Sequence, residues 1–350
     1  MVKPKRSIIP FFIPNAGCKH CCVFCDQSII SGKNVPVTPE EILTACNNRL
    51  GSKVEESGVR PLEIAFYGGS FTALPVYMQN ELLQAARQIL DINLQNSIRI
   101  STRPDCIDEP TVERLKRFGV ATVELGAQSM CDDVLLRSQR GHTSNDVAKA
   151  AKIIKRAGLA LILQMMTGLP GDTREKALYT AERLIALQPD GVRIYPTVII
   201  RGTRLYHMWK SGQYSEHSIG EAVGLCAELL VLFEKADVPV IRIGLNPSDD
   251  LSAGDAVAGA YHPAFGELAY SRMYYNKAVC LFERAGPDAP LSDIAITVAK
   301  GHVSKMTGQH GCNIRDLTEK YSLGVVKIVE ADIIPGEIRI EKIPERVYNS

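Results

Sequence analysis

Three cysteines near the N-terminus, Cys18, Cys22 and Cys25, stand in a C-x3-C-x2-C spacing. Three thiolates on one short loop can hold three irons of a [4Fe–4S] cluster and leave the fourth iron open to an exchangeable ligand. The C-x2-C pair alone also occurs in zinc ribbons and redox proteins. A zinc site would need a second Cys/His pair at similar spacing, and none follows downstream. Buried structural cysteines in a reducing compartment are the other alternative. We favour an iron–sulfur loop, in which Cys21 has the wrong register to be a ligand.

Composition sets the broad class of the protein. The chain has 350 residues, of which 45% are apolar, so it can form one large α/β domain and a small module. Its 40 Lys and Arg against 39 Asp and Glu give no overall attraction to nucleic acid or membrane. Prolines interrupt the first apolar run and no run approaches 18 apolar residues, so we expect neither a signal peptide nor a membrane span. The ten cysteines then indicate a reduced, cytoplasmic protein.

Short β-branched runs alternate with amphipathic helical stretches, which predicts a parallel α/β sheet. The predicted strands are Ile8–Ile13, Leu62–Tyr67, Ile98–Thr102, Ala121–Leu125, Leu159–Met165 and Val192–Ile200. The predicted helices are Pro39–Leu50, Pro75–Leu90, Thr111–Phe118, Asn145–Ala157 and Arg174–Leu187. Six such units make a partial (βα)6 barrel, and Val240–Leu245 is expected to complete its edge. Residues Ala253–Phe265 are predicted to form a loop.

Polar and glycine-rich segments follow several of these strands. In a parallel α/β fold the chemistry lies at the C-terminal ends of the strands. The cysteine loop follows the first run, and Gly68-Gly69-Ser70 follows the second, where glycines allow the backbone to approach a ligand closely. Ser101–Asp105 and Glu124–Ser129 follow the next two. An Arg and a Gln that converge here, such as Arg140 and Gln128, can clamp a carboxylate, although each alone is equally compatible with a solvated loop.

At these residues the chain resembles the radical SAM core of the Elongator catalytic subunit and its bacterial relatives, in a short form. The resemblance covers roughly residues 7–280. Its matching stretches are Ser101–Asp105, Val123–Ser129, Arg140–His142, Gln164–Gly171 and Tyr195–Thr203. It implies that S-adenosylmethionine (SAM) is the ligand of the open iron. It also implies a SAM-binding set that comprises Phe24, Gly68, Gly69, Ser101, Arg103, Gln128 and Arg140. Gln128 and Arg140 fall where oxygen-independent coproporphyrinogen oxidases bind the SAM carboxylate.

The chain also departs from these families. The Elongator subunit has a longer gap between its first two cluster cysteines, and porphyrin-type relatives have an Asp where this chain has Gln164. An acetyl-CoA-binding loop of the form Gln-x-x-Gly-x-Gly/Ala is missing, since Gln309-His310-Gly311-Cys312 does not supply it. Acetyl-CoA-dependent modification is therefore not expected to carry over.

The tail has the order strand, helix, GxxG, helix, strand, which resembles a KH-like module. The GxxG loop of such a module clamps the backbone of single-stranded nucleic acid. The candidate RNA-binding residues are Lys305, Gly308, Gln309, His310, Gly311 and Arg315. The Gly- and Pro-rich stretch near 286–290 predicts a boundary, with residues 1–288 as the barrel and its extension and 289–350 as the KH-like module. A turn in an unrelated α/β cap is the alternative.

Together these features predict a cytoplasmic radical SAM enzyme, a transferase or oxidoreductase, that modifies tRNA or rRNA through a 5′-deoxyadenosyl radical. A flavodoxin or ferredoxin is the expected electron donor, and the expected cofactors are a [4Fe–4S] cluster and SAM. Two alternatives remain open. One is a radical SAM enzyme that acts on a small molecule such as a porphyrin, and the other is a heme or cluster carrier without SAM turnover.

Overall fold

The computed structural model describes residues 7–13, 22–26, 29, 37–51, 61–90, 92, 95–245, 254–285 and 293–343. Cys18 and Cys21 lie outside these residues, as does the predicted boundary near residue 288, which stays a prediction. The chain divides into two compact units. Unit 1 comprises residues 1–217 and 238–261, and unit 2 comprises residues 218–237 and 262–350.

Unit 1 is built on a parallel sheet whose seven strands follow one another along the sheet in chain order. These strands are β1 (Ser7–Ile13), β2 (Leu62–Gly68), β3 (Ser97–Thr102), β4 (Val120–Gln128), β5 (Ala160–Thr167), β6 (Gly191–Pro196) and β8 (Val240–Ile243). Side chains alternate between the two faces of a strand. Ile64 and Phe66 on one face of β2 are fully buried, whereas Glu63 and Tyr67 point to the other face. The parallel α/β core that the sequence predicts, including its seventh edge strand, is confirmed.

Helices connect these strands in unit 1. They are α1 (Pro39–Gly51), α2 (Val76–Leu90), α3 (Glu109–Arg117), α4 (Asp132–Arg137), α5 (Ser144–Arg156), α6 (Arg174–Ala186) and α7 (Arg204–Lys210). Most begin at clear N-caps. Asp108 accepts from Thr111 N, and Thr143 and Asp146 form a reciprocal capping box at α5. The short helices α4 and α7 carry too few apolar repeats to stand out as periodic patterns in the sequence.

Two sequence expectations near the end of the barrel were wrong. The run 192–200 is not one strand, because it divides at Thr197 into β6 and a short β7 (Val198–Ile200). Strand β7 leaves the parallel sheet and pairs antiparallel with β9 (Ala256–Gly259), which lies inside the predicted loop 253–265. A continuous apolar run does not reveal such a change of partner, because both pieces are buried.

Unit 2 contains α8 (Ile219–Lys235), α9 (Phe265–Ala285) and the tail. The tail has the order β10 (Ile294–Ala299), α10 (Val303–Thr307), α11 (Cys312–Tyr321), β11 (Val326–Ala331) and β12 (Ile338–Lys342). Strand β10 is central, parallel to β11 and antiparallel to β12. The predicted order of strand, helix, GxxG, helix and strand is therefore present, and β12 is a third strand that was not predicted.

No helix among the described residues is both long enough and apolar enough to cross a bilayer.

Candidate active site

A cavity of about 530 Å³ lies at the C-terminal ends of the parallel strands in unit 1. Its position follows the general rule for parallel α/β folds. Its lining includes two of the three predicted cluster cysteines and all seven predicted SAM residues, namely Cys22, Cys25, Phe24, Gly68, Gly69, Ser101, Arg103, Gln128 and Arg140. The structure thus brings together residues that the sequence spreads over more than a hundred positions. The third cysteine, Cys18, lies outside the described residues.

The cysteine loop is fixed to the barrel through Val23. Its backbone N–H donates to Ser138 O at 3.1 Å, and its carbonyl accepts from Leu205 N at 2.7 Å. The Val23 side chain is 1% exposed and belongs to a cluster with Ile199, Leu205 and Tyr214. Two hydrogen bonds and a buried anchor therefore hold the backbone between the two thiols.

Arg140 connects this loop to the sheet. Its guanidinium donates to Cys22 Sγ at 3.4 Å, to the Gly126 carbonyl at 2.8 Å and to His142 Nε2 at 3.1 Å. Each of its three nitrogens therefore has a partner, and the guanidinium has one defined orientation on the cavity wall.

His142, as a neutral imidazole, accepts a hydrogen bond from Arg140. Burial, together with the charge of Arg140, lowers the pKa of His142 to about 4. The ring is therefore uncharged at neutral pH, so that Nε2 can accept from Arg140 while Nδ1 faces the Thr143 carbonyl at 3.2 Å. His142 lies within a stretch that carries the family resemblance, but the sequence alone predicted no role for it.

The end of β4 is shaped to leave room for Arg140. Pairing with β5 is irregular between Gly126 and Gln128, and Gln128 has a positive φ of 65°. A Cβ on Gly126 would lie 2.7 Å from Arg140 Nη2 and 2.9 Å from Gln128 Nε2. Gln164 donates to Gln128 Oε1 at 3.1 Å. Glycine at 126 therefore permits the Arg and Gln side chains to converge.

The end of β3 offers unfilled polar groups. Arg103 is 3% exposed and forms a two-point ion pair with Asp105, at 2.9 and 3.0 Å. Its remaining nitrogen, Nη1, is buried without a hydrogen-bond partner in the described part of the chain, and so is Ser101 Oγ. Buried polar atoms of this kind need a partner. Ser101 and Arg103 therefore fit a polar, anionic ligand in the cavity, as the carboxylate end of SAM would be.

The glycine turn after β2 presents backbone to the same cavity. Gly68 has a φ of 95°, which favours glycine, and Gly69 N donates to Ile13 O at 2.6 Å. The Ser70 hydroxyl accepts from Arg103 N and contacts Thr102 Oγ1 at 2.8 Å, so it supports the end of β3.

A buried charge network lies deeper in the barrel, on the face opposite the apolar core. Arg99 pairs with Glu63 at 2.9 Å and approaches Glu124 at 3.8 Å, while Arg193 Nε lies 3.2 Å from Glu124. Arg193 also donates to the hydroxyls of Tyr67 at 3.0 Å and Tyr195 at 3.2 Å. This network was not predicted from the sequence. Charged residues in the middle of apolar strands were the available signal, because a buried charge is costly unless it is paired.

The tail residues predicted to bind RNA lie in unit 2. Gly308 and Gly311 have φ values of 76° and 73°, and His310 between them also has a positive φ. Gln309 and His310 are exposed, as is Arg315 on α11, while Lys305 Nζ lies 4.5 Å from the Tyr270 ring centroid. Asn313 is buried and donates to the Met306 and Ser271 carbonyls at 3.0 and 2.9 Å. The loop is thus held firmly while its two central side chains face solvent.

Several curated proteins are similar to this chain. Elongator complex protein 3 of Bos taurus is 29% identical over 245 residues, which cover 64% of this chain and 43% of that protein. The tRNA uridine(34) acetyltransferase of Dehalococcoides mccartyi is 34% identical over 166 residues, covering 44% of this chain and 36% of that protein. The chain therefore spans about two fifths of the length of these relatives.

Among solved structures, the archaeal Elp3 of Methanocaldococcus infernus superposes with a TM-score of 0.58 at 23% identity. The match covers 78% of this chain and 68% of that one, and it shows a shared fold.

Family models identify the chain most directly. The model of the radical SAM superfamily matches residues 12–184, and the model of the radical SAM C-terminal domain matches residues 189–275. The two matches follow each other with almost no gap, and they contain the cysteine loop and every residue of the predicted SAM set. The chain therefore belongs to the radical SAM superfamily, whose enzymes use a [4Fe–4S] cluster and S-adenosylmethionine as cofactors.

Proposed function

We propose that this enzyme modifies RNA, either tRNA or rRNA, by radical chemistry at the cavity of unit 1. The observation that carries the chemistry is the convergence of Cys22, Cys25 and the predicted SAM residues on one cavity. The RNA substrate is supported by similarity to proteins named as tRNA uridine(34) acetyltransferases and by the GxxG loop of the tail. Because the chain spans only part of these relatives, their acetyl transfer is not included in the proposal.

Cys18, Cys22 and Cys25 would hold the cluster, and the cavity wall would hold SAM. With both bound and the cluster reduced by an external electron donor, they would supply the radical chemistry that abstracts a hydrogen atom from an unactivated carbon. The protein's own part is to bind and orient. Arg140 would meet the SAM carboxylate together with Gln128, while Ser101 Oγ and Arg103 Nη1 offer further polar contacts. The backbone at Gly68 and Gly69 would bind the amino group, and a flavodoxin or ferredoxin would deliver the electron.

The tail would present single-stranded RNA. Two glycines at positive φ allow backbone amides to approach phosphates, and the exposed Gln309 and His310 leave the loop surface free of acidic side chains. Arg315 on the following helix adds a positive charge near the loop. This arrangement is what a KH-like clamp requires.

The cluster assignment is tested by iron analysis of anaerobically reconstituted protein. We expect about four irons per chain with thiolate absorption typical of [4Fe–4S] proteins. Replacement of Cys18, Cys22 or Cys25 with Ala should abolish both signals. Cys21→Ala and the exposed Cys280→Ala are controls and should retain them. Retention in Cys22→Ala together with loss in Cys21→Ala would show that the ligand register is wrong.

The SAM clamp is tested by equilibrium binding of SAM to the reconstituted enzyme. Arg140→Ala should lose about 1.5–3 kcal/mol, the usual range for a hydrogen bond to a charged group, which is about ten- to a hundredfold in affinity. Gly126→Ala should also weaken binding, because its Cβ would displace the Arg140 guanidinium. The exposed Arg183→Ala is the matched control. Unchanged affinity in Arg140→Ala would remove this residue from the SAM site.

The RNA-binding loop is tested with the double variant Gln309→Asp/His310→Asp. Two negative charges at the loop should weaken binding of single-stranded RNA and alter its salt dependence, because phosphate contacts are lost. Iron content and RNA-independent SAM cleavage should not change. Gln84→Asp/Gln213→Asp adds the same charge at exposed positions of unit 1 and is the control. Equal RNA affinity in both double variants would contradict a KH-like role.

The RNA substrate itself is tested by nucleoside mass spectrometry of tRNA and rRNA. Cells without the gene should lack one modified nucleoside from one RNA pool, and the wild-type gene should restore it. The Cys22→Ala gene should not, because the reaction depends on the cluster. Identical nucleoside profiles with and without the gene would refute RNA modification.

A further inference from the structure

One end of the cavity is lined by residues that the SAM site does not use. Arg193 on β6 donates through its two terminal nitrogens to two phenols, Tyr195 on the same strand at 3.2 Å and Tyr67 on β2 at 3.0 Å. The Arg193 guanidinium also lies over the Tyr67 ring, 5.1 Å from its centroid. All three residues line the cavity, with Arg242 of β8 beside them. The Arg193 guanidinium thus places two tyrosine hydroxyls next to each other on the cavity wall.

The hydrogen-bond inventory of these phenols is incomplete. Arg193 can only donate, so each tyrosine oxygen accepts from it and keeps its own O–H proton for another partner. Burial raises the pKa of both Tyr67 and Tyr195, so both remain protonated. Within the described part of the chain, neither O–H proton has an acceptor other than Arg193's nitrogens, which cannot accept. Two donors therefore face the cavity side by side and are polarised by the same cation.

The charge of the cavity wall favours an anion as their partner. Among the residues that the structure describes, its charged lining side chains are four arginines and one glutamate, namely Arg103, Arg140, Arg193, Arg242 and Glu124. Arg103 and Arg140 belong to the proposed SAM site, after β3 and after β4. Arg193 and Arg242 lie on β6 and β8, two strands that contribute nothing to that site. A concave site lined mainly by one sign of charge concentrates ligands of the opposite sign.

The two phenols lie near the open end of the strands, and their cation lies deeper. Tyr195 and Tyr67 each stand one residue before the end of their strand, at Pro196 and Gly68. Arg193 stands three residues before Pro196, which is about 10 Å below the C-terminal edge of the sheet at about 3.3 Å per residue. The two donors therefore face a ligand that enters the cavity from this edge, with the guanidinium behind them.

We propose that this inner end of the cavity binds the carboxylate of a small organic acid, a second substrate beside SAM and RNA. A carboxylate is planar and has two acceptor oxygens, which suits two O–H donors held by one planar fork. A phosphate ester carries a charge near −2 at neutral pH, and its second charge would be repelled by Glu124, 3.2 Å from Arg193. This inference rests on the proposed function, because the site lies in the cavity of the proposed radical reaction. Binding of the acid itself requires no RNA.

The test uses propionate, its neutral isostere propionamide and inorganic phosphate as probes. Binding to the anaerobically reconstituted full chain is measured by saturation-transfer NMR with saturating SAM present. We expect propionate to bind and propionamide to bind at least about tenfold more weakly, since hydrogen bonds to a charged acceptor are the stronger ones. Tyr67→Phe/Tyr195→Phe keeps both rings and removes both donors, so it should weaken propionate binding by at least about tenfold. Phosphate should not displace propionate.

Tyr179→Phe, a 48% exposed tyrosine outside the cavity, is the matched control and should bind propionate normally. Unchanged iron content in the double variant shows that it folds. Equal propionate binding in the double variant and the parent would refute the proposal. Equal binding of propionamide or displacement of propionate by phosphate would also refute it. Propionate that binds without SAM but not at saturating SAM would occupy the SAM carboxylate site, which refutes the proposal as well. If the enzyme cleaves SAM but binds no propionate, the proposal of a second, acidic substrate is refuted, and the proposed RNA modification is unaffected.

Discussion

The guanidinium of Arg140 is the contact on which the rest of the site depends. It is bonded to Cys22 Sγ, to the Gly126 carbonyl and to His142, so it joins the cysteine loop, the central strand β4 and the start of α5. Each partner imposes a condition on its surroundings. Gly126 must lack a side chain, His142 must be neutral, and Val23 must be anchored so that Cys22 stays within reach. A lysine would not replace it, because the three N–H donors of lysine share one nitrogen on a flexible stem, whereas the guanidinium spreads its donors over three nitrogens in a rigid plane.

Polar residues on the inner face of the barrel lose their contacts with water and need protein partners instead. Glu63 and Glu124 are 3% and 4% exposed, where an unpaired carboxylate would be strongly unfavourable. Arg99 and Arg193 lie against them, and burial still raises the pKa of Glu124 against the opposing effect of both arginines. Replacement by apolar residues of similar size would often be no less stable. Of these four residues, Glu124 and Arg193 line the cavity, so this half of the network lies where charged side chains can also contact a ligand.

The tail shows how a loop can be both rigid and exposed. Asn313 occupies the first turn of α11 and donates to carbonyls of α9 and α10, all within unit 2. A Cβ on Gly308 would lie 2.6 Å from Cys312 Sγ, whereas a Cβ on Gly311 would meet no atom of the described residues within 4 Å. Packing and a positive φ therefore both favour the first glycine, and its left-handed conformation favours the second. A preorganised loop of this kind loses little entropy when a backbone ligand binds.

The sequence by itself determined the features that depend on neighbours along the chain. The cysteine spacing, the alternation of strands and helices, the glycine turn after β2 and the GxxG order in the tail are all local patterns. The positions of the SAM residues came from resemblance, and the structure places them around one cavity. Only the tertiary structure decided the contacts between distant residues. Arg140 and Cys22 are 118 positions apart, and Arg193 and Tyr67 are 126 apart. The physical reason is that sheet order and barrel curvature choose which inward side chains meet, and no short window of sequence contains that information.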